Sequence, residues 1–472
     1  MEKMTRKKFL KLSLGAAAAV ASAPYLGGCA PAFIKKKKPN LLLIMTDQQA
    51  IDTISHTGCT ELKTPWLDKY CREGVHFQES YTTNPVCSPA RSSLLTGRMP
   101  SETGVHRNTL AINESVPNVG QWFRRNSEYR SLYAGKWHLP QSWQPSVPGF
   151  DLLTPAIKGQ GNLGDAVVAS ACEGYFHNRS QSENPFLMVA SLFQPHDICQ
   201  WFRFNIENVD ELRYPELAGK LPELPPNFQI SSPESEAIGD LRSAMESTRG
   251  NWSELQWRYY LYVYYRQVEM VEAEIGRILQ GLEDSGEREN TLVMITSDHG
   301  EGMAEHQMIR KNYLYEASVK VPLIVSMPDQ INSDLNDTSS LVSGIDLVPT
   351  MCDFAGIPSP GNAHSRSLKP LLENRETTWR PSLISEVSHD SHGVKNQLAR
   401  MVRTDNYKYI VNARDGVEQL FNLSKDSGET DNLALKAGYE PQLMEHRKLL
   451  KEWESKLELA SDLPENKTWK NV

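Results

Sequence analysis

The sequence lacks three features that would each point to a different class of protein. Beyond the first thirty residues, no apolar run is long enough to span a bilayer. Basic residues do not predominate, because 58 acidic residues against 50 basic ones give a formal net charge of −8, a poor match for nucleic acid. Apart from Cys29 and Cys87, the cysteines match no disulfide framework or zinc-site spacing. The 472 residues suffice for one large α/β domain with a smaller appendage, or for two to three ordinary domains.

The first 29 residues have the composition of a targeting segment rather than of a folded element. A basic stretch at Arg6-Lys7-Lys8 precedes a short apolar run, and Leu26-Gly27-Gly28-Cys29 resembles a bacterial lipobox. We expect residues 1–28 to be a signal peptide, Cys29 to be lipidated and 29–38 to be a tether. The alternative is cleavage nearby without a lipid. The expected location is the periplasm or the cell surface of a bacterium, with the lipid anchor as the contact with the membrane.

Four apolar runs end in polar residues that are suited to chemistry. They are followed by Asp47-Gln48, by Lys136 and His138, by His196-Asp197 and by Asp298-His299. Continuous apolar runs are typical of strands buried on both faces, and doubly wound sheets place their active sites at the carboxyl ends of such strands. The pattern predicts an α/β domain with its site at that edge. The four runs are Pro39 to Met45, Arg130 to Ala134, Pro185 to Ser191 and Asn290 to Thr296.

The pattern changes beyond about residue 380. Short strand-like segments are followed by an amphipathic helix from about Glu440, which predicts a small antiparallel sheet with a covering helix. We therefore divide the mature chain into a catalytic domain, 39–379, and a C-terminal subdomain, 380–472. Within the first part, Trp257 to Leu282 is predicted to be a long helix, and the Pro-rich stretch from Trp201 to Asn251 an irregular lid or specificity loop.

Cys87 lies in the pentapeptide Cys87-Ser88-Pro89-Ala90-Arg91, after a polar stretch and before a helix-like run. A thiol at a helix N-terminus, with an arginine four residues later, is in a positive field that favours a nucleophile or an anion site. The alternative for a lone cysteine is a packing role in a semi-buried position. The residues around it decide between the two.

Together with its companions, the Cys-x-Pro-x-Arg pattern resembles the signature of the type I sulfatases, in the alkaline phosphatase superfamily. The resemblance implies an alkaline phosphatase-like doubly wound sheet with a smaller C-terminal α+β subdomain, and the activity of a sulfuric ester hydrolase. It also implies that a maturation enzyme oxidises Cys87 to formylglycine (3-oxoalanine). The motifs that carry it are Asp47-Gln48, the Cys87 pentapeptide, Gly135-Lys136-Trp137-His138, Pro195-His196-Asp197, Ser297-Asp298-His299-Gly300-Glu301 and Lys311-Asn312.

A divalent cation is expected beside the modified residue 87. Asp47, Gln48 and Asp298 offer hard oxygen ligands and His299 adds a nitrogen, a set that suits Ca²⁺, with Mg²⁺ or Mn²⁺ as alternatives. The resemblance adds residue 87 itself as a ligand. Many sulfatases have a second Asp where this chain has Gln48, and a Gln there also occurs in relatives that hydrolyse phosphonate and phosphate esters. The alternative function is therefore a formylglycine-dependent phosphonate monoester or phosphodiester hydrolase.

The resemblance implies a role for each of the other catalytic residues. Arg91 and Lys136 would hold the oxygens of the nucleophile and stabilise its ionised form. His138 would be the base for the release of sulfate. His196 and Lys311 would contact the sulfate oxygens, and His196 would be the acid for the leaving alcohol.

The expected substrate is a sulfated carbohydrate, because the chain is predicted to be exported and anchored. Side chains near the motifs are candidates for contact with the sugar. Trp201 would either stack on a sugar ring or anchor its own loop by packing. A third reading, outside the enzymes, is a surface lipoprotein that binds glycans with a decayed site. The candidate substrate contacts are Asn108, Gln200, Trp201, Glu305 and His306.

Overall fold

The computed structural model describes residues 37–140, 145–154, 160–180, 183–204, 215–230, 234–388 and 398–459. The predicted signal peptide, the lipidation site Cys29 and nearly all of the predicted tether lie outside these ranges. The chain from Lys38 onward forms one compact unit. The proposed boundary between residues 379 and 380 stays a prediction.

The described ranges contain fourteen strands in three sheets. In chain order they are β1 (Asn40–Asp47), β2 (Val75–Phe77), β3 (Ser80–Tyr81), β4 (Arg130–Gly135), β5 (Asp151–Leu152), β6 (Phe186–Pro195), β7 (Thr291–Ser297), β8 (Leu323–Ser326), β9 (Leu335–Asp337), β10 (Val342–Ser343), β11 (Ser382–Ser388), β12 (Leu398–Thr404), β13 (Tyr407–Asn412) and β14 (Glu418–Asn422).

The main sheet has the order β5-β4-β6-β1-β7-β8-β2-β9. Its centre is parallel, since β1 pairs in parallel with β6 and β7, and β4 pairs in parallel with β6. The neighbour β8 runs antiparallel to β7. Every residue of β1, β6 and β7 is buried, which explains their continuous apolar sequences. These strands and β4 correspond to the four predicted runs, and the predicted α/β fold is confirmed.

Helices cover both faces of the main sheet. Side chains of β1 alternate between two apolar clusters, with Leu41 and Leu43 in one and Leu42 and Ile44 in the other, because successive residues of a strand point to opposite faces. Among the described helices, none is both long and apolar enough to cross a bilayer. The α-helices are Pro65–Arg72, Cys87–Thr96, Pro100–Thr103, Val119–Asn126, Gly161–Asn178, Ile198–Phe204, Glu236–Arg249, Glu254–Asp284, Glu316–Val319, Leu347–Ala355, Lys369–Leu372 and Glu440–Glu454.

The C-terminal part contains the predicted antiparallel sheet, with the order β11-β12-β13-β14. One face is covered by the helix Glu440–Glu454, whose Leu443 and Trp453 share a cluster with Val402 and Leu420 of the sheet. The opposite face contributes to a second cluster that it shares with the main domain. The predicted small sheet with a covering helix is confirmed.

The segment from Trp201 to Asn251 differs from its prediction as an irregular loop. It contains the helix Glu236–Arg249, whose N-terminus is capped by the Ser235 side chain, which accepts a hydrogen bond from the amide of Ala237. Serine is a strong N-cap residue. The helix was obscured in the sequence by the prolines before it and by the glycine, serine and threonine within it, which are weak helix formers.

Candidate active site

The carboxyl ends of four adjacent parallel strands bring the predicted site residues to one edge of the sheet. Asp47 ends β1, and Asp298 follows β7 directly. Lys136 follows β4 and His196 follows β6. Since β4, β6, β1 and β7 are neighbours in this order, residues far apart in the sequence become neighbours in space.

Cys87 is the first residue of the helix Cys87–Thr96 and is buried. Its Sγ lies 3.2 Å from His299 Nε2 and 3.8 Å from Asp47 Oδ1, and it accepts a hydrogen bond of 2.9 Å from Lys311 Nζ. Burial raises the pKa of the thiol, but the charges of Lys311, Lys136 and His299 outweigh burial and hold the pKa well below its usual range. The site therefore stabilises an anion at this position.

Four side chains form what we call the ligand cluster: Asp47, Cys87, Asp298 and His299. One potential ligand atom from each lies within 4.8 Å of those of the others, and all four residues are buried. Burial and the neighbouring Asp47 raise the pKa of Asp298 to about 6. Two buried carboxylates side by side, with a nitrogen and a sulfur beside them, are a donor set that fits a divalent cation.

Arg91 lies behind the ligand cluster and is fully buried. Its guanidinium donates to Asp298 Oδ2 at 2.8 Å, to Asp47 Oδ2 at 2.9 Å and to Ser191 Oγ at 2.7 Å. Lys136 Nζ donates to the same oxygen of Asp47 at 2.5 Å. The structure thus places Arg91 against the two carboxylates, a position from which its guanidinium orients both of them.

Burial and charge act on Asp47 in opposite directions. Burial and the Cys87 thiolate raise its pKa, but the positive charges of Lys136 and Arg91 lower it by more, so that the pKa lies far below its usual range. Asp47 is therefore ionised at every pH at which the protein would work. An ionised carboxylate in the ligand cluster is the form that binds a hard cation.

Two histidines flank the thiol in their neutral forms. Burial and the positive charge of Lys136 lower the pKa of His138, and its side chain forms a hydrogen bond with Cys87. Burial, Lys136 and Lys311 lower the pKa of His196 to about 4. A neutral imidazole is ready to accept a proton, as the role predicted for His138 requires. For His196 to donate one, a bound anion would first have to raise its pKa.

A cavity of about 210 Å³ opens beside the thiol, and we call it the site cavity. Four predicted residues line it, namely His196, Lys311, Asn108 and Gln200. Asn108 also accepts a hydrogen bond of 2.9 Å from the amide of Ser88. None of the described lining residues is acidic. The other lining residues are Val86, Arg107, Cys199, Leu241, Ala244, Met245, Arg310, Asn312 and Ser388.

Three predicted substrate contacts lie away from the site cavity. Trp201 packs edge-to-face against Tyr259, with ring centroids 5.4 Å apart, which matches its alternative role as a packing anchor. Glu305 lines a separate cavity of about 980 Å³. The His306 ring is buried and tilted over Tyr315, 4.5 Å between centroids. Glu305 and His306 lie near Lys311 in the sequence but do not line the site cavity with it, because the backbone between them turns repeatedly through positive φ.

Two contributions were missed from the sequence. Arg107 and Arg310 line the site cavity, although nothing in their local sequence marks them as binding residues. Glu301 is fully buried, and its carboxylate accepts a hydrogen bond from Gln48 Nε2. A signal for Glu301 was available, since it ends the motif that begins at Ser297.

Comparison with known proteins finds sulfatases both among family models and among individual relatives. The family model for sulfatases matches residues 39–357, and the model for the C-terminal part of N-sulphoglucosamine sulphohydrolase matches residues 304–456. A Delta 4,5-hexuronate-2-O-sulfatase of Bacteroides thetaiotaomicron is 30% identical over 451 residues, 90% of each chain. An N-acetylglucosamine-6-O-sulfatase of the same organism is 26% identical over 90% of this chain and 88% of its own.

Solved structures agree with this result. A 2-O GAG sulfatase matches with a TM-score of 0.79 and 29% identity, over 89% of this chain and 92% of its own. A phosphonate monoester hydrolase of Agrobacterium radiobacter shares the fold, with a TM-score of 0.72 and 22% identity over 88% of this chain and 95% of its own. With more than half of its length matched by the family model, and a relative 30% identical over nine-tenths of both sequences, the chain belongs to the sulfatase family.

Proposed function

We propose that the protein is a sulfatase that removes sulfate from a sulfated carbohydrate of the glycan or glycosaminoglycan type. The observation that carries the proposal is the position of Cys87. Its thiol belongs to the ligand cluster, its anionic form is stabilised by nearby positive charge, and it contacts Lys311 on the wall of the site cavity. Two relatives matched over most of the chain are named for sulfate removal from hexuronate and from N-acetylglucosamine, which supports the carbohydrate class.

Cys87 is proposed to be converted by a maturation enzyme to formylglycine. Formylglycine supplies a hydrated aldehyde, whose hydroxyl is a nucleophile for the sulfate ester. The surroundings fit such a group, because Lys311 Nζ and His299 Nε2 already point at the position of the thiol. Lys311 would hold the negative oxygen at residue 87, and neutral His138 would accept a proton there.

Ca²⁺, with Mg²⁺ or Mn²⁺ as alternatives, is proposed to be held by Asp47, Gln48, Asp298, His299 and the modified residue 87. A bound cation supplies charge stabilisation for an anionic sulfate. Arg91 and Lys136 orient the carboxylates from behind, through the bonds to Asp47 and Asp298. With Arg91 used in this way, we assign it to positioning of the cation ligands.

The site cavity is proposed to receive the sulfated sugar. Arg107, Arg310 and Lys311 place three cations on its wall, and no acidic residue is among the described lining residues. Such a wall favours an anionic saccharide over a neutral one. Asn108 and Gln200 add side-chain amides that can bind sugar hydroxyls.

The test is sulfate release from a panel of defined sulfated saccharides, followed by ion chromatography. The protein is made with its maturation enzyme, and Cys87→Ala is the matched inactive variant. We expect release from at least one saccharide and none from the variant. A 4-nitrophenyl sulfate and a phenyl phosphonate ester are assayed in parallel. Clear preference for the phosphonate, or full activity of Cys87→Ala, would overturn the proposal.

The export of the protein is a separate proposal, based on the lipobox-like sequence that ends at Cys29. It predicts that fatty-acid labelling of the full chain in a bacterial host is lost in Cys29→Ser. Labelling that persists in this variant would contradict lipidation at Cys29.

A further inference from the structure

Glu301 accepts hydrogen bonds from three sides in the interior of the protein. Its Oε1 accepts from the Tyr260 hydroxyl and from the backbone amide of Arg310, and its Oε2 accepts from Gln48 Nε2. Glu301 and Gln48 are both fully buried. We propose that Glu301 is a positioning residue, which turns the Gln48 amide so that its oxygen faces the ligand cluster.

The orientation follows from the chemistry of the two groups on either side of the amide. Lys311 Nζ lies 2.7 Å from Gln48 Oε1, and an ammonium group can only donate. The atom of Gln48 that faces Lys311 must therefore be its oxygen. The amide nitrogen then faces Glu301, where a carboxylate oxygen accepts from it. Both neighbours thus favour the same orientation.

The position of the oxygen links this orientation to the cation site. Lys311 Nζ bonds to both Gln48 Oε1 and Cys87 Sγ, so that the amide oxygen lies on the side of the ligand cluster. The backbone of Gln48 is also fixed there, since its amide donates to Asp298 Oδ1 at 3.0 Å. A flipped amide would turn its NH₂ group toward the cation site instead. This group repels a cation and cannot act as a ligand.

Glu301 also determines which residue can occupy position 48. A carboxylate there would lie against the carboxylate of Glu301, with no hydrogen-bond donor between the two groups. The pair therefore has one carboxylate, on the side away from the ligand cluster. Exchanging the two residues would move that carboxylate to the cation side and keep the same two side-chain types.

Exchange of the pair gives a sharp test. In Glu301→Gln, Tyr260 and the Arg310 amide hold the oxygen of the new side chain, so its NH₂ group faces the NH₂ group of Gln48 and no longer holds that amide in place. In Gln48→Glu, two carboxylates meet. In the double variant Gln48→Glu/Glu301→Gln, the new NH₂ group donates to the new carboxylate, which also accepts from Lys311. The hydrogen bonds are then restored, with a charged oxygen at the cation site.

The measurement is Ca²⁺ binding by isothermal titration calorimetry on EDTA-treated full-length protein. We expect each single variant to bind Ca²⁺ roughly 10–100-fold more weakly, the range for lost support of a metal ligand, and the double variant to bind at least as tightly as the original protein. The control is Glu287→Gln, since the buried Glu287 accepts from the Asn40 amide at 2.9 Å at the other end of β1. It should leave the affinity unchanged.

Unchanged affinity in both single variants, or a double variant that is weaker than either, would overturn the inference. The inference rests on the proposed cation site, and failure of the original protein to bind Ca²⁺, Mg²⁺ or Mn²⁺ would overturn both. Sulfate release is assayed separately. A protein that binds Ca²⁺ but releases no sulfate would leave the role of Glu301 intact and contradict only the proposed activity.

Discussion

At the scale of single residues, the site consists of buried side chains of opposite charge that lie next to one another. Asp47 and Asp298 share the guanidinium of Arg91, Asp47 also bonds to Lys136, and Lys311 faces the thiol of Cys87. In a medium of low polarity each charge depends on its neighbour, because an unpaired buried ion is strongly unfavourable. Removal of one charge should therefore change the ionisation of the next.

Lys311→Met tests this dependence at Cys87. With the nearest positive charge removed, the pKa of the thiol should rise toward its usual range, since Lys311 is the largest of the influences that lower it. The measurement is the ultraviolet absorbance of the thiolate against pH in protein made without the maturation enzyme, with Cys87→Ala as the blank. Lys320→Met, at a lysine paired with Glu79 at 2.8 Å, is the control and should change nothing at Cys87. An unaltered titration in Lys311→Met would contradict the assignment.

His306 predicts a pH dependence of stability. Burial lowers its pKa to about 4, below the usual value of about 6.5. As the pH falls, the unfolded chain therefore binds a proton at a higher pH than the folded protein does. Stability is therefore complete above about pH 6.5 and is lost as the pH falls toward about 4. For this residue the loss between about pH 7 and about pH 5 should be ~2 kcal/mol.

The variant His306→Phe keeps a ring over Tyr315 and removes the titration. Urea unfolding at the two pH values should show a correspondingly smaller loss of stability in this variant. His56→Gln, at an exposed side chain, is the control and should unfold with the pH dependence of the original protein. The same dependence in His306→Phe would show that other groups cause it.

At the scale of elements, the helix Glu236–Arg249 forms part of the wall of the site cavity. Leu241, Ala244 and Met245 lie on its cavity side, at the spacing of three and four residues that places side chains on one helix face. The last part of the segment predicted to be an irregular lid or specificity loop is thus a regular helix on the cavity wall. A helix holds such a wall more rigidly than a loop does.

Ala244→Phe should fill part of the site cavity. We expect a roughly tenfold or greater loss of kcat/KM for a sulfated saccharide, because added volume in a binding pocket excludes part of the substrate. The loss should be smaller for 4-nitrophenyl sulfate, which is the smaller substrate. Ser243→Phe adds the same ring at the exposed neighbouring position and serves as the control. Equal effects of the two variants would argue against a substrate-binding role for this wall.

At the scale of the whole molecule, buried ion pairs join the C-terminal sheet to the main domain. Lys408 on β13 is fully buried and pairs with Glu316 at 3.0 Å and Glu429 at 2.7 Å. Arg403 on β12 pairs with Glu79 at 2.8 Å. The second face of the small sheet also shares an apolar cluster with the main domain. We therefore expect the two parts to unfold together.

Lys408→Met should destabilise the protein by ~3–5 kcal/mol, because the buried Glu429 loses its partner and the half-buried Glu316 loses one of two lysines. Chemical unfolding followed by tryptophan fluorescence and by circular dichroism gives both the size and the cooperativity. Lys436→Met removes an exposed pair with Asp431 and should change stability by less than ~1 kcal/mol. Two separate transitions, or similar effects of both variants, would contradict a jointly folded structure.

The local sequence determined the elements of this protein and the chemistry at their ends. Buried strands are visible as continuous apolar runs. The residues at their carboxyl ends, such as Asp47 and Asp298, are polar because they lie at the edge of the sheet rather than in its apolar interior. Turn and strand patterns likewise predicted the small C-terminal sheet. All of these signals are local, since they depend on neighbours within one strand or one turn of helix.

Only the tertiary structure decided which side chains meet. The order of the strands brings Lys311 to Cys87, takes Trp201, Glu305 and His306 away from the cavity, and places Glu301 against Gln48. These contacts join residues that are far apart in the sequence, so a pattern within one strand or one turn of helix cannot predict them. Charge pairing in the interior then determines ionisation, because the field at a buried atom depends on every charge near it in space rather than in sequence.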